Sequence, residues 1–401
     1  MSRGARSESA LTTRALIGST LEATVQYKER IDAHTDRGRQ TLRVAIAHEW
    51  LVRYAGSERC VAEMLEAFPG ARLLTTILDA RAVPAGFRSA EPSVLQHVPG
   101  ATRHHEWFVP LMPLAWKMRP LVRDVDIVIS SSHACAKGVR AEAGIPHLCY
   151  CHTPMRYAWD FDSERERFPR AVRPLARAGM AWFRRWDRKT AARVTRFVAN
   201  STAVAQRIEK VFARSADVIH PPVRTEFFTP GGGRDDFFLY VGRFAGYKRP
   251  DLVSEAFAGL PEHRLVMVGD GPLGSALRAR ATPNVSFLEA PDDDGLRDLY
   301  RSARALVHPV DEDFGIAMAE AQACGTPVIG LAAGGATDIV VPDRTGWLLR
   351  DQSVDELRAA VRRAAADELD AEEIARSAQR FSAARFRREI QAAAAQCVES
   401  R

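Results

Sequence analysis

The residues best suited to chemistry lie in the stretch 308–330, HPVDEDFGIAMAEAQACGTPVIG. Two carboxylates, Glu312 and Glu320, stand there with seven residues between them. Polar residues Asp311, Glu312 and Asp313 lead to Phe314-Gly315, where a run of good helix formers opens and continues to about Ala323. The first N–H groups of a helix lack intrahelical partners, and its dipole makes that end attractive to phosphate. Gly315 lets a ligand come close to the backbone, and a carboxylate can accept two hydrogen bonds from a vicinal diol such as ribose. A phosphate-ready helix end flanked by two diol-binding acids suits a sugar nucleotide; the same two acids taken alone also describe a solvated loop and a surface helix. A second group, Arg243 and Lys248 in VGRFAGYKRP, follows an apolar run at 237–241. Cations just past a strand end can clamp a diphosphate, Arg bidentately and Lys as a point charge.

The elements that must position these groups follow from the pattern around them. Ala305-Leu306-Val307 is a buried parallel strand, Gly325 and Pro327 stop the helix, and Val328-Ile329 starts the next strand. In such open α/β sheets ligands sit outside the carboxyl ends of the strands. The same alternation runs upstream: LRVAIAHEW from Leu42, then strands near 72–76, 126–130, 147–151 and 196–199 with helical patterns between them. The first strand is followed by a loop with Ala55-Gly56 and a helix capped by Ser57. Ser131-Ser132-His133 and Cys151-His152-Thr153 each place a His just past a strand end. The resulting division is a flexible, polar extension at 1–41, a first domain at 42–220, a Pro/Gly-rich linker at 221–236, a second domain at 237–380 and a last helical segment at 381–401.

With 401 residues, 46% of them hydrophobic, the chain can bury two α/β cores. No run of about 18 apolar residues exists, so nothing spans a membrane. The net charge of +6 points to an anionic partner, yet no nucleic-acid motif accompanies it. Six cysteines without CxxC or zinc spacing suit a reduced cytosolic protein, with Cys149 and Cys151 as small core residues. Charge concentrates at 165–196, with eleven Lys/Arg against two acids. There Trp182, Phe183 and Trp186 fall on one helical face, with Arg184, Arg188 and Lys189 off it and Arg185 among them. Such a helix is either a membrane-surface element or a core-packed helix with a solvated basic face. The apolar stretch 107–122 is core or the wall of a lipid groove. A glycine run from Gly269 to Gly274, with Glu289 beyond, matches a dinucleotide fingerprint on paper. Pro272 removes one N–H that could hold pyrophosphate, and an oxidoreductase remains a rival reading. Asp292-Asp293-Asp294 is a helix cap and first-turn charge rather than a metal cluster.

The Glu312-x7-Glu320 spacing with Phe314-Gly315 inside it, the Gly325-Thr326-Pro327-Val328 turn, VGRFAGYKRP and YCHTPMRYAWD (150–160) together resemble the retaining glycosyltransferases of family 4. The resemblance covers about residues 42–395. It implies the α/β GT-B fold: two Rossmann-like domains facing a central cleft, the donor mainly on the second, the acceptor on the first, and a final helix crossing back to the first domain. It implies a catalytic set of Glu312, His152, Arg243 and Lys248, with Glu312 and His152 at the donor sugar and His133 the weaker candidate. Arg243 and Lys248 would hold the diphosphate, Glu320 the ribose, and Phe314, Gly315 and Ile316 the helix end. Gly56 would lie in the first loop, where the family usually has two adjacent glycines and this chain has Ala55-Gly56. The implied partners are a nucleotide sugar, a lipid-linked or glycan acceptor and an anionic membrane surface on the cytoplasmic side, with no metal, cofactor or nucleic acid. YCHTPMRYAWD and VISSSHACAKG (128–138) resemble a mannosyltransferase-like branch of O-antigen and exopolysaccharide synthesis, hence GDP-mannose as donor. A UDP-sugar, or a catalytically silent sugar-nucleotide-binding protein that docks membrane enzymes, are the alternatives.

Overall fold

A computed structural model describes residues 42–159 and 173–400. The extension at 1–41 and the part of the basic segment at 165–172 lie outside the described residues.

Two parallel sheets of six strands each form the frame. The first contains β1 (Val44–His48), β2 (Arg72–Leu74), β3 (Ile127–Ser132), β4 (His147–Cys151), β5 (Arg196–Ala199) and β6 (Ala216–Val218), in the order β2-β1-β3-β4-β5-β6. The second contains β7 (Phe237–Val241), β8 (Arg264–Val268), β9 (Val285–Leu288), β10 (Ala305–His308), β11 (Val328–Leu331) and β12 (Gly346–Leu349), in the order β12-β11-β10-β7-β8-β9. Strands β1, β3 and β4 are buried at every position, as parallel strands covered on both faces must be. The architecture is α/β, two Rossmann-like units.

Strand order reverses between β1 and β3 in one sheet and between β7 and β10 in the other. At such switch points the connections diverge to opposite faces and leave a crevice at the carboxyl ends. The loop leading into the helix start at Gly56 follows β1 and Ser131 lies on β3, while the loops with Arg243/Lys248 and Glu312 follow β7 and β10. Each of these groups therefore belongs to a switch point, while His152 follows β4, one strand further along the first sheet.

The last helix, Ala383–Glu399, belongs to the first domain's core, where Phe386, Ile390, Ala393, Ala394 and Cys397 pack with Val44, Ile46 and Ile129. Arg387 pairs with Glu63, and Gln391 Nε2 donates to the Ala67 carbonyl at 2.6 Å. Its cap is Ser382, so the buried Phe381 ends the preceding 3-10 turn instead of opening the helix.

Three local expectations are corrected. The helix after β1 spans Gly56–Ala67 with Ala55, not Ser57, at its N-cap. Glu58 replaces the missing cap by accepting the Ala55 N–H at 3.0 Å, the reciprocal half of a capping box. Ala55 is extended (φ −138°), a conformation open to any residue, so a second glycine is not required there.

In the basic helix Arg173–Ala191, Trp182 does not share the buried face: it is 53% exposed, while Phe183, Asp187 and Thr190 point inward. Asp187 is fully buried, pairs with buried Lys137 at 2.5 Å and accepts the Trp159 indole N–H at 2.8 Å. One charged pair thus pins the inner face, because either partner alone would be an uncompensated buried charge.

The glycine run after β8 serves packing. A Cβ on Gly269 would lie 2.1 Å from the Gly242 carbonyl oxygen, and one on Gly271 2.6 Å from that of Phe244. These glycines let the loop support the backbone around Arg243. Asp292 caps the helix Asp293–Ser302 by accepting from Gly295 N at 2.9 Å.

The stretch 105–118 divides into two faces. A 3-10 turn, His105–Leu111, runs into the helix Met112–Met118, which buries Met112, Ala115 and Trp116. Trp107, Leu111, Leu114 and Met118 are exposed, Trp107 by 76%. Among the described residues no helix is long and apolar enough to cross a membrane.

Candidate active site

The loop after β10 turns back at Gly315, the N-cap of the helix Ile316–Ala323, which sits at φ +98°. A Cβ there would be strained and would meet Met318 Cε at 2.2 Å, so the helix start requires glycine. The Gly334-Gly335 loop braces the acid loop: Gly335 N donates to the Glu312 carbonyl at 2.8 Å, and a Cβ on Gly334 would strike that same oxygen.

Glu312 is 17% exposed by side chain and meets two groups. Lys248, from the turn after β7, forms an ion pair with its Oε1, and His308 Nε2 stands 3.2 Å from its Oε2. Burial pushes His308 down to about 3, so it is neutral, and neither ring nitrogen makes a hydrogen bond. Burial, helped by the Arg156 guanidinium, pushes the Lys248 ammonium down to about 8. The charge of Asp313 works the other way, and the ammonium stays charged at neutral pH. Arg243, in the same loop, is exposed.

Glu320 is 5% exposed and faces the first domain. Arg59, on the helix Gly56–Ala67, donates to its Oε1 at 2.7 Å, and the Tyr300 hydroxyl lies 3.4 Å from Oε2. Burial raises the Glu320 carboxyl above its ordinary range, against the pull of Arg59. The expected ribose carboxylate is therefore already engaged by a cation from the opposite wall. Nearby, a Cβ on Gly56 would lie 2.9 Å from Ile316 Cδ1, so the two walls touch there.

Further cross-wall bonds surround this point. Arg156 donates to Asp313 Oδ1 at 2.6 Å, Arg207 pairs with the same oxygen, and Arg207 also reaches Thr153 Oγ1 at 2.9 Å. Asp338 Oδ2 accepts from Thr202 N at 2.7 Å, capping a first-domain helix from the other side. Phe314, expected at the helix end that meets the donor, turns its side chain away from it. Its buried ring stacks on His220 at 5.5 Å and meets Phe381 at 5.4 Å, which leaves only its backbone for a ligand.

On the first domain, His152 stands past β4 with Nε2 2.8 Å from Ser131 Oγ. Burial holds it well below the ordinary imidazole range, so it is neutral. His133 packs edge-on against Trp50 at 4.9 Å, in a loop gathered by buried Glu49, which accepts from the backbone N–H groups of His133, Ala134, Cys135 and Ala136. The basic-helix residues serve two purposes. Arg184 donates to the Ala158 carbonyl at 2.7 Å, Arg188 lies over the Trp159 ring, and Trp186 packs at Gly138, while Arg185 and Lys189 are exposed.

The tertiary structure thus brings together Lys248 with Glu312, Gly56 with Ile316, and Glu320 with an unforeseen partner. Arg59, Arg207 and Asp313 carried no sequence signal, and Arg156 sat unassigned inside YCHTPMRYAWD. Chemically, the second-domain rim offers two cations and a helix start for phosphates, and two carboxylates for hydroxyls.

Comparison with known proteins agrees with this geometry. The family model described as Glycosyltransferase Family 4 matches residues 54–227, and that described as Glycosyl transferases group 1 matches residues 225–381. The D-inositol 3-phosphate glycosyltransferase of Mycobacteroides abscessus is 36% identical over 156 residues, 33% of this chain and 35% of the relative. That of Mycobacterium avium is 35% identical over 162 residues, 35% and 38% of the two chains. The chain spans about a third of the length of these curated relatives. Sucrose-phosphate synthase from Thermosynechococcus elongatus superposes with a TM-score of 0.68 at 17% identity, covering 90% of this chain and all of the other. Anabaena Alr3699/HepE in complex with UDP superposes with a TM-score of 0.64 at 16% identity, over 88% and 100% of the two chains. Identities this low speak for the fold alone, whereas the two family models between them take in both walls of the cleft. The chain has the GT-B fold, and its two family-model matches, together spanning residues 54–381, place it in glycosyltransferase family 4.

Proposed function

We propose that the protein transfers a hexosyl group from a nucleotide diphosphate sugar, GDP-mannose, to a lipid-linked or glycan acceptor, with retention of configuration and without a metal. The observation that carries this reading is the Lys248–Glu312 contact at the β7/β10 switch point, next to the Gly315 helix start. A donor entering there would exchange that ion pair for two matched contacts: diphosphate on Lys248 and Arg243, sugar hydroxyls on Glu312. As the bond from C1 to the phosphate oxygen breaks, negative charge grows on the phosphate, and two preplaced cations stabilise it. The acceptor oxygen forms its bond to C1 on the same face, and its proton passes to the departing phosphate oxygen. Glu320 accepts hydrogen bonds from the ribose diol once Arg59 has moved aside, and His152 contacts the sugar from the first domain.

A second reading replaces GDP-mannose by a UDP-sugar. It is favoured by the Anabaena protein, whose structures hold UDP and UDP-glucose. Phosphates and ribose are common to both donors, so the cations and carboxylates do not separate them. A thermal-shift and transfer panel with GDP-mannose, UDP-glucose, UDP-galactose and UDP-N-acetylglucosamine tests the choice. A cognate donor at 100 times its Kd adds about 2.7 kcal/mol to stability. The expected result is a response to GDP-mannose, unchanged by EDTA; a response to a UDP-sugar alone would overturn the donor while leaving the reaction class.

The acceptor side supports work at an anionic membrane. Trp107, Leu111, Leu114 and Met118 are exposed along the consecutive turn and helix at 105–118, and the basic helix exposes Trp182, Arg185 and Lys189. Changing Arg185 and Lys189 to Gln should cost about 2 kcal/mol of binding to anionic vesicles at low salt, from ~1 kcal/mol per cation. Leu114→Gln with Met118→Gln should remove the portion that survives high salt. Co-sedimentation unchanged in both variants would refute the membrane assignment.

A further inference from the structure

At the carboxyl ends of β1, β3 and β4 a buried chain of polar groups runs through the first domain towards the cleft. Glu58 Oε1 lies 3.4 Å from His48 Nε2, His48 Nδ1 lies 3.1 Å from Ser131 Oγ, and Ser131 Oγ lies 2.8 Å from His152 Nε2. Glu58, His48 and Ser131 are buried, and only His152 is partly open. The first three are residue types of a hydrolytic triad, but a fully buried hydroxyl cannot reach a substrate. What they can do is fix the proton arrangement of the one member that faces the cleft.

The direction of each hydrogen bond follows from the first. Burial opposes ionisation of Glu58, yet the hydrogen bond and proximity of His48 outweigh it and hold the carboxyl at about 2. An ionised carboxylate only accepts, so the proton between them belongs to His48 Nε2; the reverse would set a nitrogen lone pair against a carboxylate. On the alkaline side of the imidazole range a ring carries a single N–H. His48 Nδ1 is then an acceptor, and the Ser131 hydroxyl donates to it. With its proton spent, Ser131 Oγ accepts from His152, whose single proton must lie on Nε2. The free His152 Nδ1 is left as a basic lone pair.

We infer that Glu58, His48 and Ser131 are positioning residues that lock His152 in the Nε2–H tautomer, so that it meets the bound sugar as a hydrogen-bond acceptor through Nδ1. The sugar contact rests on the proposed role of His152; the tautomer lock does not. The chemical consequence is selective. His152 recognises a hydroxyl that donates, and a sugar that has lost that hydroxyl leaves the lone pair unanswered in a partly buried site.

Nitrogen-15 NMR of histidine-labelled protein at pH 8.5 reads the tautomer directly, with His152→Asn used to assign the signals. The expected spectrum has His152 Nε2 protonated and Nδ1 bare in the wild type. In Ser131→Ala, a smaller side chain that the core tolerates, this preference should relax to a mixture. His152 protonated on Nδ1 in the wild type, or an unchanged spectrum in Ser131→Ala, would overturn the lock. Kinetics then test the sugar contact separately. Ser131→Ala should lower kcat about ten- to a hundredfold, the scale of one hydrogen bond made in the transition state. A confirmed tautomer with wild-type turnover in Ser131→Ala would refute the acceptor role of His152 while leaving the lock intact.

Discussion

Lys248→Ala is expected to lower kcat by about 10²–10³-fold, the usual cost of removing one preplaced charge-stabilising donor, with a smaller change in KM for the donor. Two effects add. The phosphate loses a cation where charge develops on bond breaking. Glu312 also loses its ion-pair partner and is left beside a neutral His308, so the carboxylate is no longer held in place. Lys248→Arg keeps the charge but brings a planar fork to a point-charge site, and only partial recovery is expected. The wild type should also show a basic limb in kcat/KM. The required form of Lys248 is the cation, its value is lowered to about 8, and the cation is therefore present below that pH and lost above it. Bound diphosphate favours the cation, so the limb in kcat should move to higher pH. Steady-state kinetics across pH 6–10 check both points. Full turnover in Lys248→Ala, or the same basic limb in that variant, would remove Lys248 from the diphosphate site.

Glu320→Ala is expected to weaken donor binding by roughly 10²–10³-fold. A ribose diol gives two hydrogen bonds to a charged acceptor, each worth ~1.5–3 kcal/mol. The free enzyme returns part of that gain, because the donor must first break the Arg59–Glu320 bridge at 2.7 Å. The Arg59 side chain is partly exposed, so its release into water costs about 1 kcal/mol or less. The exchange has its own signature. A double-mutant cycle of Arg59→Ala and Glu320→Ala should show coupling in the thermal stability of the free enzyme, and the coupling should vanish with donor at saturation. Calorimetric titration gives the affinities. Equal donor affinity in Glu320→Ala, or coupling that survives saturation, would place the ribose elsewhere.

The readings that held and those that did not differ in the range over which their causes act. The runs VAIAH, IVISSS and HLCYC announced buried parallel strands through composition alone, and Gly315 and Gly325 marked the helix ends. The sequence marks 107–122 as an apolar stretch, core or groove wall, and 165–196 as a basic amphipathic segment, but not which apolar side chains face inward. Trp182 and Phe183 are neighbours of similar character, and only packing against Lys137, Trp159 and Gly138 determined that Phe183 is buried and Trp182 exposed. The glycine run from Gly269 resembled a nucleotide-binding loop because glycine permits a close approach whether the neighbour is a phosphate or the carbonyl of an adjacent loop.

By itself the sequence determined the two parallel sheets, the strand ends that bear chemistry and the groups gathered within single strings: Glu312 with Glu320, Arg243 with Lys248, and His152. These follow from hydrophobic period, helix punctuation and side-chain type, which act within one strand–loop–helix unit. Tertiary structure alone decided the partners. Glu320 meets Arg59 across 261 positions and Asp313 meets Arg156 across 157, while His48 and His152 meet through Ser131 on a third strand. The reason is topological. Strand order reverses at β1/β3 and at β7/β10, so loops remote in sequence open onto one crevice, and which cation takes which carboxylate depends on distance and burial there rather than on any local pattern.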